Sequence, residues 1–509
     1  MNIDMMQPVQ QVLSPSLNIS SPPETLHVLS GSFRSLSLFL LAFSPAARTL
    51  SLLHQVPGFG PHQYIGTNRD KIKSSQSSET NLSTTTVGLA AYTTSWAVPP
   101  ILSSWEITSD WHLNHLDNVP ITAVSSYISF PHPYTHLYSM GGPTGEVHLL
   151  SPQSGSFLEK VQEILFVPPD KLADADKSRK ALRYGSHAIE FAHLPGTNTR
   201  LAFVPVLGTN SIEVYTHDPD SGFLTHVYSS PSPRSGVEDG PRHVKVHPNG
   251  KILYCVTEHN NLLDVYSFRA TGRSDSSTEW SNNPLKYLGT RSLLPPNLSY
   301  PSASIQTIHR FRGDTLMLGP SVGAGQWPTE IWATTRGATE DDRGWVSVFK
   351  LDQDGMFATS NPSGKSFSEE EGVERYETPT SGGKAHAIDL YPKSPSSFDI
   401  PYLEPRVGSP VWILLTDDSD YAVGEVRDGP SILSQPVKRS NPVGGVRVLE
   451  WDSWSNGGIR EVVSWPSAGK WDCKAEIVDE EAGDTEQVVE QGSDEERLMR
   501  GGSHAVWLD

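Results

Sequence analysis

The stretch from residue 242 to residue 268 constrains the fold more than any other part of the chain. Apolar and polar residues alternate over Arg242–Glu258 on either side of the turn sequence Pro248-Asn249-Gly250. A second turn sequence, Asn260-Asn261, precedes a third alternating run over Leu262–Phe268. Period-two alternation is typical of half-buried strands, and these dipeptides are typical of tight turns. The stretch therefore predicts an antiparallel meander of three strands.

The same order of runs and turns recurs along the chain, which indicates a repeated β unit. A second copy comprises Ser186–Phe191, Arg200–Pro205 and Ser211–Thr216. Later, more degenerate copies comprise 304–311 with 315–318, 330–335 with 345–351, and 386–391 with 411–417 and 421–426. Repeated four-stranded units arranged around an axis are the usual way for such a chain to hide its sheet edges. A β-sandwich or a β-solenoid stays open as an alternative.

Composition supports many short strands joined by turns. The chain has 41 Gly and 40 Pro in 509 residues, and no helical heptads are visible. Near the start, Leu26–Ser32 and Leu36–Phe43 read as a strand pair, and the closing segment Gly502–Asp509 has apolar residues worth burying. A terminal strand often completes the first blade of a closed propeller. We therefore expect this closing segment to pack near Leu26–Phe43.

Charge and cysteine content exclude several classes of protein. Lys and Arg total 39 against 58 Asp and Glu, and the formal net charge of −19 disfavours a nucleic-acid partner. Cys255 and Cys473 are the two cysteines, which suits a reducing compartment, so we expect a cytoplasmic protein. The apolar run 36–43 is too short to span a bilayer, and we expect no membrane association.

Recognisable cofactor and nucleophile motifs are absent from the sequence. It contains no phosphate loop, dinucleotide fingerprint, His-Glu-x-x-His helix or nucleophile elbow. What remains are polar residues at strand starts and ends, where propeller blades present side chains to a central channel. His187, Arg242, Glu258 and Arg336 stand at such positions. Guanidinium groups bind carboxylates bidentately, and a histidine or carboxyl group can move a proton, so this mixture suits a polyanionic substrate.

A family resemblance strengthens this interpretation. Residues 240–251, with Tyr254 and Glu258, resemble the signature of propeller 6-phosphogluconolactonases and carboxymuconate cyclases. Residues 186–187, 333–336, 380–387, 416–418 and 504–509 fall in the order seen in the fungal carboxy-cis,cis-muconate cyclases. The resemblance implies an all-β fold, a single seven-bladed β-propeller over residues 24–509. We expect residues 1–23 to be disordered and long loop insertions near 71–86, 272–284, 360–383 and 479–502.

The resemblance also implies a site and an activity. His187, Arg242, Glu258 and Arg336 match the family's catalytic His, Arg, Glu and Arg, with no cofactor and no metal ion. The implied activity is that of an isomerase, the lactonization of 3-carboxy-cis,cis-muconate in protocatechuate (β-ketoadipate) catabolism, with a small polycarboxylate as partner. Two alternatives stay open, a 6-phosphogluconolactonase-type hydrolase and a noncatalytic interaction propeller. The sequence also leaves open homo-oligomerisation and which of His187 and Glu258 transfers the proton.

Overall fold

The repeated β unit forms a ring of blades in a computed structural model of the chain. The structure describes residues 25–69, 88–194, 197–268, 283–321, 326–360, 368–393, 408–418, 444–466 and 501–509. Within these ranges, 28 strands form seven four-stranded antiparallel sheets. The predicted all-β fold, a seven-bladed propeller, is confirmed.

Each blade is described from its inner strand, which lines the channel, to its outer strand. Blade 1 contains β28 (Ala505–Trp507), β1 (Leu26–Ser30), β2 (Ser37–Ser44) and β3 (Thr49–Pro57). Blade 2 contains β4 (His62–Thr67), β5 (Leu89–Ser95), β6 (Ile101–Ile107) and β7 (Leu113–Pro120). Blade 3 contains β8 (Ser125–Ser129), β9 (His136–Gly141), β10 (Thr144–Leu150) and β11 (Phe157–Leu165). Blade 4 contains β12 (Glu190–His193), β13 (Arg200–Val206), β14 (Ser211–His217) and β15 (Leu224–Pro231).

The remaining three blades follow the same order. Blade 5 contains β16 (Pro241–Val246), β17 (Ile252–Thr257), β18 (Leu262–Phe268) and β19 (Leu285–Ser292). Blade 6 contains β20 (Phe311–Leu318), β21 (Glu330–Gly337), β22 (Trp345–Lys350) and β23 (Val373–Glu377). Blade 7 contains β24 (Ile388–Pro392), β25 (Val411–Asp417), β26 (Gly445–Trp451) and β27 (Arg460–Trp465). Short helical segments are α1 (Ile305–Ile308) and the 3-10 turns Pro169–Lys171, Arg179–Arg183, Pro296–Leu298 and Glu369–Gly372.

The predicted meander is strands β16, β17 and β18 of blade 5. Its two turns contain Gly250 and Asn261, whose φ angles are +68° and +56°, so both turns use the left-handed region that Gly and Asn tolerate best. All six residues of β17 are buried. A strand in the middle of a blade is covered on both faces by the neighbouring blades, which explains why β17 carries apolar residues on both of its sides.

The ring closes between the two ends of the described chain. Strand β28 pairs with β1, with Val28 opposite Trp507 and Ser30 opposite Ala505. The Trp507 ring is fully buried, and its centroid lies 6.0 Å from that of Phe43 and 5.7 Å from that of Tyr391 in blade 7. The closing segment therefore completes blade 1 by packing against Leu26–Phe43, as the sequence predicted, and the structure shows that it also joins blade 1 to blade 7.

Some predicted boundaries are wrong. The segment 360–383 was predicted to be a loop insertion, but residues 373–377 form β23, the outer strand of blade 6. The predicted strand at 304–311 begins instead with α1, because the Ser304 side chain caps that helical turn by accepting a hydrogen bond from the Thr307 amide. Segments 1–23, 71–86 and 421–426, and most of 272–284 and 479–502, lie outside the described residues.

The blade architecture gives the channel two distinct mouths. Each blade has an even number of antiparallel strands, so the chain returns to the same side before it enters the next inner strand. All seven inner strands therefore start at one mouth, which we call the upper mouth, and end at the other, the lower mouth. Arg242 near the start of β16 lies towards the upper mouth, and Thr67 at the end of β4 lies at the lower mouth. No helix in the described ranges is long and apolar enough to cross a bilayer.

The ring closure can be tested by truncating the Trp507 side chain. We expect Trp507→Ala to lower the free energy of unfolding by about 3–5 kcal/mol, because it leaves a cavity between two blades. The measurement is urea unfolding followed by circular dichroism. The matched control is Trp327→Ala, which removes an indole that is 42% exposed and should cost less than about 1 kcal/mol. Equal losses in the two variants would contradict a closing role for Trp507.

Candidate active site

Three of the four predicted side chains meet at the upper mouth. Arg242 is the second residue of β16, Glu258 follows the end of β17, and Arg336 lies near the end of β21 in the next blade. Arg242 Nε donates to Glu258 Oε2 at 3.0 Å, and Arg336 Nη2 donates to Glu258 Oε1 at 3.3 Å. One carboxylate therefore holds both guanidinium groups, each through a different oxygen.

Asp314 is a fifth member of the site that the sequence analysis missed. Its side chain is 1% exposed, forms an ion pair with Arg242 Nη1, and lies 4.0 Å from Arg336 Nε. Arg242 Nη1 also donates to the Asp314 carbonyl at 2.9 Å, and the backbone amide of His386 donates to Asp314 Oδ2 at 2.7 Å. Asp314 lies near the start of inner strand β20, as Arg242 does in β16. A charged residue near the start of an inner strand was the sequence feature that could have identified Asp314 as part of the site.

His187 lies beside this cluster and is held by a loop. It precedes inner strand β12, which begins at Glu190 rather than at Ser186 as predicted; Ser186 forms only an isolated bridge with Val206. The imidazole Nε2 lies 2.9 Å from the Leu182 carbonyl, to which it must donate, so the neutral ring carries its proton on Nε2. Nδ1 is then left as a hydrogen-bond acceptor.

The surroundings of His187 keep it neutral. Burial lowers the pKa of His187 well below 6.5, and the positive charges of Arg242, Arg336 and Arg179 lower it further. The hydrogen bond to the Leu182 carbonyl opposes this shift but does not offset it. The free protein therefore has an uncharged imidazole next to the two guanidinium groups at neutral pH.

The site opens to solvent above a narrow cavity. His187, Arg242 and Asp314 line a space of about 40 Å³ inside the channel, which is roughly the volume of one water molecule. Glu258 and Arg336 do not line it, and their side chains are 13% and 21% exposed. A substrate of six or more heavy atoms must therefore bind in the upper mouth, above this space.

Several cations lie at the upper mouth beside buried carboxylates. Lys384 and Arg34 both contact the buried Asp418, at 3.5 and 3.0 Å. Burial lowers the pKa of the Arg312 guanidinium, which lies close enough to Glu258 and Arg336 to be affected by both charges. Arg179, Arg242, Arg312 and Arg336 also lie in this mouth, together with the carboxylates of Glu258, Asp314, Asp417 and Asp418. The guanidinium groups favour an anionic ligand.

A short loop forms the wall next to His187. Arg179 begins the 3-10 turn Arg179–Arg183, which also supplies the Leu182 carbonyl. The Arg179 guanidinium lies 5.0 Å from the Trp96 ring centroid and 5.3 Å from that of Phe33, within the range of cation–π attraction. Sequence analysis did not find this wall, because the loop between blades 3 and 4 carries no strand pattern.

The described residues contain no group of three or more His, Cys, Asp or Glu side chains arranged to hold a metal ion. The described side chains of this mouth can bind carboxylates through their guanidinium groups and can transfer a proton through an imidazole or a carboxyl group.

Asp314 offers a direct test of how the guanidinium groups are held. We expect Asp314→Asn to lower the free energy of unfolding by about 3 kcal/mol or more, because it leaves Arg242 buried with half of its negative partners. The control is Asp452→Asn, whose carboxylate is 36% exposed and pairs with Arg460 and Lys393 at the outer edge of blade 7; we expect a loss below about 1 kcal/mol. Urea unfolding measures both, and a loss for Asp314→Asn as small as the control's would contradict the role given to Asp314.

Comparisons with known proteins point to one family. The family described as "Lactonase, 7-bladed beta-propeller" matches residues 185–292, which include His187, Arg242 and Glu258. Muconate cycloisomerase 1 of the fungus Cutaneotrichosporon cutaneum is 27% identical over 381 residues, 73% of this chain and 84% of that protein. The 6-phosphogluconolactonase of Serratia proteamaculans is 30% identical over 218 residues, which cover 41% of this chain and 59% of that enzyme.

A solved structure has the same fold. A crystal structure of a candidate 6-phosphogluconolactonase from Bacteroides fragilis superimposes with a TM-score of 0.52 at 13% identity, and covers 97% of this chain and 100% of that one. At this identity the likeness concerns the fold alone, and it agrees with the seven blades described above. The matched residues thus show that this chain is similar to seven-bladed β-propeller lactonases, and the solved structure shows that it has the same fold.

Proposed function

We propose that this protein is a carboxy-cis,cis-muconate cyclase, an isomerase that closes 3-carboxy-cis,cis-muconate to its carboxymuconolactone. The observation that carries the proposal is the arrangement of Arg242 and Arg336 on the two oxygens of Glu258, beside a neutral His187. The similarity to a fungal muconate cycloisomerase over 73% of the chain supports the choice of substrate class.

The upper mouth suits a substrate with several carboxylates. The guanidinium groups of Arg179, Arg242, Arg312 and Arg336 lie there, and a guanidinium group binds a carboxylate through paired N–H donors. Arg242 and Arg336 are already oriented by Glu258 and Asp314, so little side-chain entropy is lost when they bind the substrate. Arg336, at 21% exposure, is the more accessible of the two.

Ring closure requires one new C–O bond and one proton. A carboxylate oxygen of the substrate adds to a carbon of a conjugated double bond, and the π electrons move towards the carboxylate conjugated with it. The guanidinium groups stabilise the negative charge that builds there. The neighbouring carbon then takes a proton from the site, and solvent restores that proton before the next turnover.

His187 is the proton donor in this proposal, and Glu258 is the positioning carboxylate. Both Glu258 oxygens accept hydrogen bonds from guanidinium groups, so this carboxylate orients the two arginines. His187 is neutral in the free protein partly because of the nearby arginine charges. Substrate carboxylates that pair with these arginines offset that charge, so binding raises the pKa of His187 and allows it to carry the proton.

Lactone hydrolysis of the 6-phosphogluconolactonase type is the second candidate. It is supported by the similarity to the Serratia enzyme and by the neutral His187, which in that reaction would act as a base towards water. The third possibility, a noncatalytic interaction propeller, predicted that the four side chains do not converge. Their convergence at one mouth favours an enzyme.

The first test is a spectroscopic assay of the purified protein. With 3-carboxy-cis,cis-muconate, we expect the ultraviolet absorbance of the conjugated diene to fall, at a rate that EDTA does not change. A parallel assay with 6-phosphogluconolactone follows acid release. Turnover of the lactone without turnover of the muconate would replace the cyclase assignment by the hydrolase.

A matched pair of arginine variants tests the binding role. We expect Arg336→Gln to lower kcat/KM for the muconate by at least about tenfold, because a charge-assisted contact with a substrate carboxylate is lost. Arg460→Gln is the control, since Arg460 also pairs with two carboxylates, Glu450 and Asp452, but at the outer edge of blade 7. An unchanged kcat/KM in Arg336→Gln would remove Arg336 from the site.

The pH dependence distinguishes the two reactions of His187. If His187 must be protonated, only the small protonated fraction of the free enzyme is productive above its lowered pKa. We then expect kcat/KM to fall by about tenfold for each pH unit between pH 6 and 8, while kcat, which reports the substrate complex, falls less steeply. A kcat/KM that is constant or rises with pH would show that His187 acts as a base.

A further inference from the structure

A second pocket lies at the lower mouth, below the site already described. It has a volume of about 330 Å³, which is within the range of small-molecule sites. Tyr64 and Tyr127 line both this pocket and the narrow cavity under Arg242, so their rings separate the two spaces. Lys245, three residues along β16 from Arg242, also lines the lower pocket, at a distance of about 10 Å along the strand from Arg242.

Arg200 is the unusual charge in this pocket. The residue is 8% exposed, and its Nη1 donates to the His132 carbonyl while its guanidinium lies 5.6 Å from the Phe191 ring centroid. Its buried Nε has no hydrogen-bond partner. Among the residues that the structure describes, Arg200 forms no ion pair with a carboxylate. Within the described part of the chain, this buried guanidinium thus contacts a neutral carbonyl group and an aromatic face rather than a carboxylate.

The other charged groups of the pocket are paired. Lys245 forms an ion pair with Glu190, and both contact the Tyr127 hydroxyl, at 2.9 Å from Lys245 Nζ and 2.8 Å from Glu190 Oε1. Arg69 lies 3.7 Å from Asp389 on the opposite side of the pocket. The described lining therefore has one positive charge in excess, and that charge belongs to Arg200.

An uncompensated buried charge is costly, and burial accordingly lowers the pKa of Arg200. Proteins bear this cost where a ligand supplies the missing charge. A single excess cation fits a ligand with one negative charge. The hydroxyl of Tyr127 and the paired Lys245 and Glu190 provide donors and acceptors for polar groups elsewhere on that ligand.

We propose that the lower mouth is a separate binding site for a small hydroxylated monocarboxylate, with Arg200 binding its carboxylate. This site is independent of the reaction at the upper mouth, because none of His187, Arg242, Glu258 and Arg336 lines it. In this proposal the channel has one anion site at each end, and the two sites differ in the charged side chains that line them.

The first experiment uses the unmodified protein and a matched pair of probes. D-erythronate carries one carboxylate and several hydroxyl groups, and erythritol is its neutral counterpart of the same length. We expect saturation-transfer NMR to detect erythronate binding and not erythritol binding, and erythronate to raise the thermal midpoint more than erythritol. No difference between the two probes in either measurement would overturn the proposal.

Two variants then locate the binding. We expect Arg200→Gln to weaken erythronate binding by at least tenfold, with a thermal midpoint no lower than that of the parent, because an uncompensated buried charge is removed. Arg336→Gln, which changes the upper mouth, should bind erythronate as the parent does. Loss of binding in Arg336→Gln, or unchanged binding in Arg200→Gln, would each overturn the lower site.

A purely structural role for Arg200 predicts a different pattern. In that case Arg200→Gln would lower the thermal midpoint by several degrees, and the parent protein would not distinguish erythronate from erythritol. We also expect turnover at the upper mouth to be the same in Arg200→Gln as in the parent, so failure of the cyclase assignment and failure of the lower site are observed separately.

Discussion

The closure of the ring by β28 is the constraint on which the rest of the structure depends. Strand β28 is the inner strand of blade 1, yet it comes from the opposite end of the described chain to its partner β1. Trp507 packs against Phe43 and Tyr391, so the closing strand also joins blades 1 and 7. A closed ring leaves only short, protected strand edges along the channel, and it fixes the positions of all seven inner strands around that channel.

Fixed inner strands allow charged groups from different blades to meet. Arg242 and Glu258 come from blade 5, whereas Asp314 and Arg336 come from blade 6. Such a cluster of buried ion pairs contributes little net stability, because the desolvation of each charge offsets most of the attraction. Its value lies in orientation, since the guanidinium groups are held in place before a substrate arrives. The free energy that keeps these guanidinium groups in place comes from the packing of the blades rather than from the ion pairs themselves.

The even number of strands in each blade also separates two sets of functional groups. The start of β16 carries Arg242 to the upper mouth, beside the His187 that precedes β12, and the later part of β16 carries Lys245 towards the lower mouth. Tyr64 and Tyr127 lie between the two spaces. Two side chains that are only a few positions apart on one inner strand can therefore lie in different sites. This arrangement allows the two mouths to differ in charge and in ligand.

The sequence by itself determined the strand repeats, the turns at Gly250 and Asn261 and the closing segment, because alternation and turn chemistry are local properties. It also placed Arg242, Glu258 and Arg336 at strand starts and ends, where the structure brings them together. Only the tertiary structure decided that Asp314 joins them, that the 3-10 turn Arg179–Arg183 holds His187, and that residues 373–377 complete a blade. It also decided that Arg200 is buried beside a pocket. These features depend on contacts between residues far apart in the chain, and such contacts form only when the ring closes and brings neighbouring blades together.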